Sequence, residues 1–203
     1  MDGWEYCLWD EDKAEQLCQS NYPDLWNTYR PLKYAIQRVD LAKYMIADSC
    51  GGVVSDLDVI PLSHLDSFVG EEQYMFDRCS RVHIIANDFF YAGPGGFPGI
   101  FEYFEKNLAR VKSIPAYEQR KMRYVFQTCG PDFFTRYLKR AGLGGYVKAI
   151  SNRSFLDSKQ RHRNVCSPDP RLDIVHHLSW TPQLYQERSQ HDGGHACYGI
   201  DSF

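Results

Sequence analysis

The chain has no two cysteines at the two-residue spacing of a zinc site or a thiol redox motif. Its cysteine count is odd: seven, at positions 7, 18, 50, 79, 129, 166 and 197. This pattern argues against structural zinc or a disulfide framework. It favours free thiols in a reducing compartment, several of them packed as ordinary core residues. No stretch approaches the ~18 consecutive apolar residues of a membrane span. The N-terminus lacks the basic segment and apolar run of a secretory signal. The expected location is therefore the cytoplasm, or the chain is the soluble catalytic piece of a larger protein. Asn152-Arg153-Ser154 would accept a glycan only in a secreted chain. The formal net charge is −3, so no basic field favours nucleic acid. No internal repeat is visible.

What is present is ordinary for a globular domain. The 203 residues are enough for one domain with a sizeable core, and the hydrophobic and charged fractions are 43% and 24%. Aromatic residues make up 15% of the chain, which supplies core rings and leaves some for stacking on a sugar or base.

The most informative stretch runs Gly51-Gly52-Val53-Val54-Ser55-Asp56-Leu57-Asp58-Val59-Ile60-Pro61. Alternation on an extended chain puts Asp56 and Asp58 on one side and turns Leu57 toward the core. Two carboxylates this close repel unless a cation or a shared proton relieves them. A hard divalent ion with oxygen ligands meets that need, and such ions bridge to substrate phosphates. Asp10-Glu11-Asp12 has the same spacing but opens a polar helical pattern, so it is expected to be the acidic first turn of a helix.

Periodicity predicts a short strand over 4–9 and a helix over 11–19 that Asn21-Tyr22-Pro23 ends. A longer helix is expected over 31–49, with Ala35, Val39, Ala42, Ile46 and Ser49 on its apolar side and Gly51-Gly52 stopping it. Further strands are expected at 73–77, 82–86, 88–92, 146–150 and 172–177, and helices at 98–111, 116–127 and 131–141. The mixture points to an α/β sandwich. The basic stretch 151–171 is either a solvated loop or a lid over a phosphate-bearing substrate. Residues 188–203, with His191 and His195, are expected to form a flexible tail.

The run from Arg38-Val39-Asp40-Leu41-Ala42-Lys43-Tyr44 through Asp58 resembles the DXD region of glycosyltransferase family 32. That family includes initiating mannosyltransferases and capsular polysaccharide transferases, and it is related to clostridial glucosylating toxins. Its pattern is an Asp-x-x-Arg helix, Gly-Gly, a strand and Asp-x-Asp. The flanks are similar as well: Trp4-Glu5-Tyr6 to Leu8-Trp9-Asp10; Asn87-Asp88-Phe89-Phe90-Tyr91-Ala92 with Pro94 and Pro98; Thr128-Cys129-Gly130-Pro131; and His176-His177-Leu178-Ser179-Trp180. The matching elements cover roughly residues 4–180 in order. Lys43 departs from the family's arginine and loses its planar two-pronged donor geometry. Val54 departs from a common tyrosine. The chain also starts at Met1 where relatives usually carry one more strand lining the nucleotide site.

The resemblance implies a GT-A-type nucleotide-binding sandwich over 1–187, with a central mixed, mostly parallel sheet flanked by helices. It implies a nucleoside-diphosphate sugar donor (UDP- or GDP-sugar), Mn²⁺ or Mg²⁺, and transfer to a glycan or protein-linked sugar with retention of configuration. Asp56 and Asp58 are then expected to hold the metal, with His176 or His177 as a further ligand. Asp40 and Lys43, three apart on one helical face, are expected at the donor, as are Ser179 and Trp180. As a plain surface ion pair, Asp40 and Lys43 would contribute only ~0–1 kcal/mol. Asn87 and Asp88 are candidate catalytic residues contacting the donor sugar or the acceptor hydroxyl, and Gln127 and Thr128 are placed near the reacting face. Trp4, Tyr6 or Trp9 are candidates for base stacking. Two other functions share the Asp-x-Asp pattern: a nucleotide-sugar-binding domain without turnover, and a haloacid-dehalogenase-type phosphatase with Asp56 as nucleophile.

Overall fold

The computed structural model describes residues 3–57, 59–61, 65–69, 74–78, 84–93, 95–115, 120–148 and 174–176. Asp10 starts the first helix: its Oδ1 accepts from the Lys13 backbone N–H at 2.8 Å, capping α1 (Glu11–Asn21). Glu11 and Asp12 then lie in the acidic first turn, beside the partial positive charge of the helix N-terminus. Pro23 opens a second helix that the sequence pattern did not predict, α2 (Pro23–Tyr29), where its missing N–H costs no hydrogen bond.

The central helix α3 (Ala35–Cys50) begins where Gln37 Oε1 accepts from the Tyr34 N–H at 3.0 Å. It ends at Gly51 with φ 65°, followed by Gly52 with φ 95°. A side chain at either position would be strained, so this glycine pair is what lets α3 turn directly into β1 (Gly52–Ser55). The expected apolar side of α3 is not its buried face. Ala35 and Ser49 are exposed and Val39 and Ile46 half-buried, whereas Gln37 and the run Asp40–Met45 are all buried. The helix lies between several elements, so its middle is enclosed on more than one face and a single stripe does not describe it.

The remaining elements are β2 (Val59–Pro61), α4 (Asp66–Val69), β3 (Tyr74–Arg78), β4 (Ile85–Ala92), α5 (Ile100–Lys112), α6 (Lys121–Thr128), α7 (Pro131–Arg140), a 3₁₀ turn (Leu143–Tyr146), β5 (Val147–Lys148) and β6 (Ile174–His176). One sheet has the order β1-β4-β3-β5, and β2 pairs with β6 in a second, two-stranded sheet. The mixed helix-and-strand class matches expectation, but the strand directions differ from it. Among the described residues β1–β4, β3–β4 and β2–β6 are antiparallel, and only β3–β5 is parallel. Connection length gives the reason: β3 and β4 are joined by a short link, which forces reversal. β5 follows β3 only after β4 and several helices, a long enough crossover for a parallel pair. The strands expected at 82–86 and 88–92 are one strand, β4.

The segment 4–9 is not a strand. Its alternation finds no ladder partner among the described residues; instead Trp4 Nε1 donates to Asp66 Oδ1 at 2.7 Å, and Tyr6 stays exposed.

The main core draws on α1, α2, α3, β1, β3, β4, α5 and α7. Its centre is aromatic: Tyr44 stacks on Phe134 with centroids 5.1 Å apart, and Phe90 and Phe97 lie 5.2 and 5.5 Å from Phe134. Val59 and Phe89 form a smaller cluster on the other side of the sheet. Cys18 and Cys129 are buried free thiols, and Cys7 and Cys50 are exposed. Among the described residues no helix is long and apolar enough to cross a membrane. The expected lid at 151–171 and the tail from 188 lie outside the described residues.

Candidate functional site

The α3–glycine–β1 unit carries Asp40 and Lys43 toward the end of β1, where Asp56 follows Ser55. Asp56 does not continue an extended strand. Its carbonyl accepts from the Val59 N–H at 3.1 Å, so the chain turns after Asp56 between β1 and β2, and strand alternation does not set the direction of Asp56. The Asp56 N–H donates to the Asp88 carbonyl at 2.7 Å, which ties this turn to β4.

Lys43 is the hub. Its Nζ lies 2.6 Å from Asp56 Oδ1 and 3.3 Å from Asp40 Oδ1, and donates to the Asn87 backbone carbonyl at 3.3 Å. Three contacts use the three ammonium protons, so Lys43 neutralises carboxylates in this arrangement. The expected i, i+3 pair of Asp40 and Lys43 is present, but it is buried, not on the surface.

Asn87 on β4 donates from Nδ2 to Asp40 Oδ1 at 2.9 Å and to the Tyr44 hydroxyl at 3.2 Å. Tyr44 donates its own proton to the Cys129 carbonyl at 2.8 Å. Neither Tyr44 nor the Cys129 carbonyl stood out in the sequence. The available signal for Tyr44 was its position four residues after Asp40, on the same helical face. Gly130 follows, where an added Cβ would lie 3.5 Å from Asp40 Oδ2.

Exposure grades across this cluster. Asp40, Lys43 and Asn87 are 4–6% exposed, whereas the Asp56 side chain is 27% exposed. Burial raises the Asp40 carboxyl from 3.8 to about 6; Lys43 pulls it down and Asp56 pushes it further up. Desolvation pulls the Lys43 ammonium down, but Asp56 and Asp40 outweigh it and its pKa rises, with the charge of Asp88 adding to the effect. Burial pushes both the Tyr44 hydroxyl and the Cys129 thiol well up, so they stay neutral. One ammonium among the carboxylates of Asp40, Asp56 and Asp88 leaves a net-negative cluster in which the Asp56 side chain is partly exposed.

The far end of the chain returns to this turn. β2 and β6 pair so that Val59 stands opposite His176, one residue beyond position 58 in sequence. Asp58, His177, Ser179 and Trp180 lie outside the described residues. Among the described residues no group of three or more His, Cys, Asp or Glu side chains could hold a metal ion. Thr128 is occupied structurally, accepting from Gln37 Nε2 at 2.8 Å and donating to helix carbonyls. Gln127 Oε1 accepts from Arg136 at 2.7 Å. Neither faces the cluster as a spare group.

Residues 1–75, which contain α3, the glycine turn and the Asp-x-Asp segment, match the family described as "Glycosyltransferase sugar-binding region containing DXD motif". The chain is 26% identical over 143 residues to "Inositol phosphoceramide mannosyltransferase 1" of Schizosaccharomyces pombe, covering 67% of this chain and 42% of that protein. It is 36% identical over 55 residues to "Mannosyl phosphorylinositol ceramide synthase SUR1" of Saccharomyces cerevisiae, covering 27% of this chain and 14% of that protein. It is 25% identical over 197 residues to "Uncharacterized glycosyltransferase L373" of Acanthamoeba polyphaga mimivirus, covering 90% of this chain and 72% of that protein. The chain thus spans less than half the length of the two yeast proteins. No solved structure matches it significantly. Together the matches support a glycosyltransferase family for this chain.

Proposed function

We propose that this chain is a metal-dependent, retaining glycosyltransferase domain of the family 32 type, moving a hexose from a nucleoside-diphosphate sugar to a hydroxyl. The observation that carries this is the net-negative Asp40–Lys43–Asp56–Asn87 cluster at the end of β1, built mainly by the segment that matches the DXD family. The names of the yeast relatives make a mannosyl donor, and an acceptor of the inositol phosphoceramide kind, the first to test.

The donor chemistry of the residues fits a hard divalent cation, Mn²⁺ or Mg²⁺. Asp56 presents a partly exposed carboxylate, Asp58 would add a second, and the pairing of Val59 with His176 brings an imidazole-bearing residue to the same turn. Such an ion, when bound, would offset the donor diphosphate and the charge that develops on the departing nucleotide.

The protein's own part is positioning. Asp56, a partly exposed member of the cluster, would orient the donor. Lys43 keeps Asp40 and Asp56 together by neutralising part of their charge. Asp40, buried beside Asn87, would face the sugar. Ser179 and Trp180 would close on the diphosphate, and Asn87 and Asp88 would border the reacting sugar. No motif supplies a protein nucleophile, so orientation and electrostatics would carry most of the rate.

The test is hydrolysis or transfer of GDP-mannose and a panel of UDP-sugars, with and without Mn²⁺. Turnover that needs the ion and is lost in Asp58→Asn supports the proposal. Binding without turnover indicates a sugar-nucleotide-binding domain, and a trapped aspartyl-phosphate on Asp56 indicates a phosphatase.

A further inference from the structure

Asn87 is 5% exposed, and both of its amide hydrogens are committed, one to Asp40 Oδ1 at 2.9 Å and one to the Tyr44 hydroxyl at 3.2 Å. Two features act together against the flipped amide. The Asp40 carboxylate accepts and cannot donate while ionised, so an oxygen facing it would be repelled. The Tyr44 hydroxyl has a single proton, and that proton is spent on the Cys129 carbonyl at 2.8 Å, so toward Asn87 it can only accept. The Tyr44 ring is itself held by Phe134 at 5.1 Å and Phe133 at 5.8 Å, so the lock does not swing. The Asn87 side-chain oxygen is therefore aimed away from Asp40 and Tyr44. Among the described residues the hydrogen bonds of the Asn87 side chain are the two its amide nitrogen donates.

We propose that Asn87 is a specificity-determining residue whose side-chain oxygen, held in one orientation by Asp40 and Tyr44, accepts a hydrogen bond from one hydroxyl of the bound sugar. This rests on glycosyl transfer as the function. A fixed, nearly buried acceptor discriminates by chemistry. It welcomes a hydroxyl donor, repels phosphate oxygens, and is left desolvated and unpaired when the hydroxyl is missing. The position therefore reads the sugar and not the diphosphate. Tyr44, which touches no substrate, is a positioning residue for that oxygen.

The test uses the full chain with Mn²⁺, GDP-mannose and UDP-glucose as parents, and the singly deoxygenated sugars of whichever parent binds. For the wild type, one deoxy analogue is expected to bind about three- to tenfold more weakly than its parent, the others less so. In Asn87→Ala that one penalty should shrink to within about twofold while parent binding weakens. Tyr44→Phe keeps the ring and removes one of the two partners that fix the amide, so it should reduce the same penalty part of the way without creating a new one. Circular dichroism and thermal melting establish that each variant is folded. A merely structural role would weaken parent and analogues in proportion and leave their ratios unchanged, which overturns the inference. If Asn87→Ala does not fold, the ratios in Tyr44→Phe decide by the same criterion. A wild-type chain that binds neither parent overturns glycosyl transfer itself, and this inference with it. Binding of the parent with unaltered ratios in folded variants overturns this inference alone.

Discussion

The Lys43 ammonium sits 2.6 Å from Asp56 Oδ1, joining the middle of α3 to the first carboxylate of the Asp-x-Asp turn. Because Lys43 also holds Asp40, one cation keeps two carboxylates from driving the helix and the turn apart.

Lys43→Met leaves Asp40 buried with no ammonium beside it. Removing one partner of a buried pair typically costs about 3–5 kcal/mol, and the loss here should fall in that range. Urea denaturation measures it. A change below about 1 kcal/mol would mean the pair behaves like an exposed surface bridge.

Asp40 makes stability depend on pH in an identifiable direction. Its carboxyl is raised from 3.8 to about 6, chiefly by burial. The folded protein therefore holds this proton more tightly than the unfolded chain, and ionisation of Asp40 opposes folding. That cost is absent well below 3.8, grows as pH rises toward about 6, and is level above it. Asp40→Asn cannot titrate, and Lys43 stays charged throughout this window. The stability of the variant relative to wild type should accordingly improve as pH rises from about 4 to about 7. Melting curves across that range check the slope; a difference flat with pH would show that Asp40 is not raised.

Gly96 has φ 52°, and a Cβ there would collide with the Asp48 backbone. The approach is held by two bonds, the Phe97 N–H donating to Asp48 Oδ1 at 3.2 Å and the Tyr74 hydroxyl donating to the Gly96 carbonyl at 2.9 Å. Gly96→Ala should cost more than about 3 kcal/mol, because backbone must shift as well as strain being added. Gly95→Ala meets nothing within 4 Å and should cost only about 1–2 kcal/mol from its own positive φ. Equal melting temperatures for the two variants would contradict the close packing of this loop on α3.

Much of this fold was legible where local chemistry decides. The Asp10 cap, α3, the Gly51-Gly52 turn and Pro131 at the head of α7 all announce themselves in sequence, because each depends on neighbours within a few residues. Pro23 was misread because proline both ends one helix and begins another. The antiparallel pairing of β1 with β4 was not legible, since its register, Ser55 against Phe89, is set by contacts far apart in the chain. Of the site, Asp40, Lys43, Asp56 and Asn87 were found as separate signals. Their convergence on one ammonium, and the part played by Tyr44, depend on tertiary packing that no short pattern encodes.

The most direct test of the central claim is calorimetric titration of GDP-mannose and UDP-sugars into the chain, with and without Mn²⁺, on wild type and Asp58→Asn. Saturable binding of one sugar nucleotide is expected with Mn²⁺, weakened more than about tenfold by removing the ion or by the substitution. Failure of every sugar nucleotide to bind in the presence of Mn²⁺, or binding indifferent to both the ion and Asp58, would contradict it.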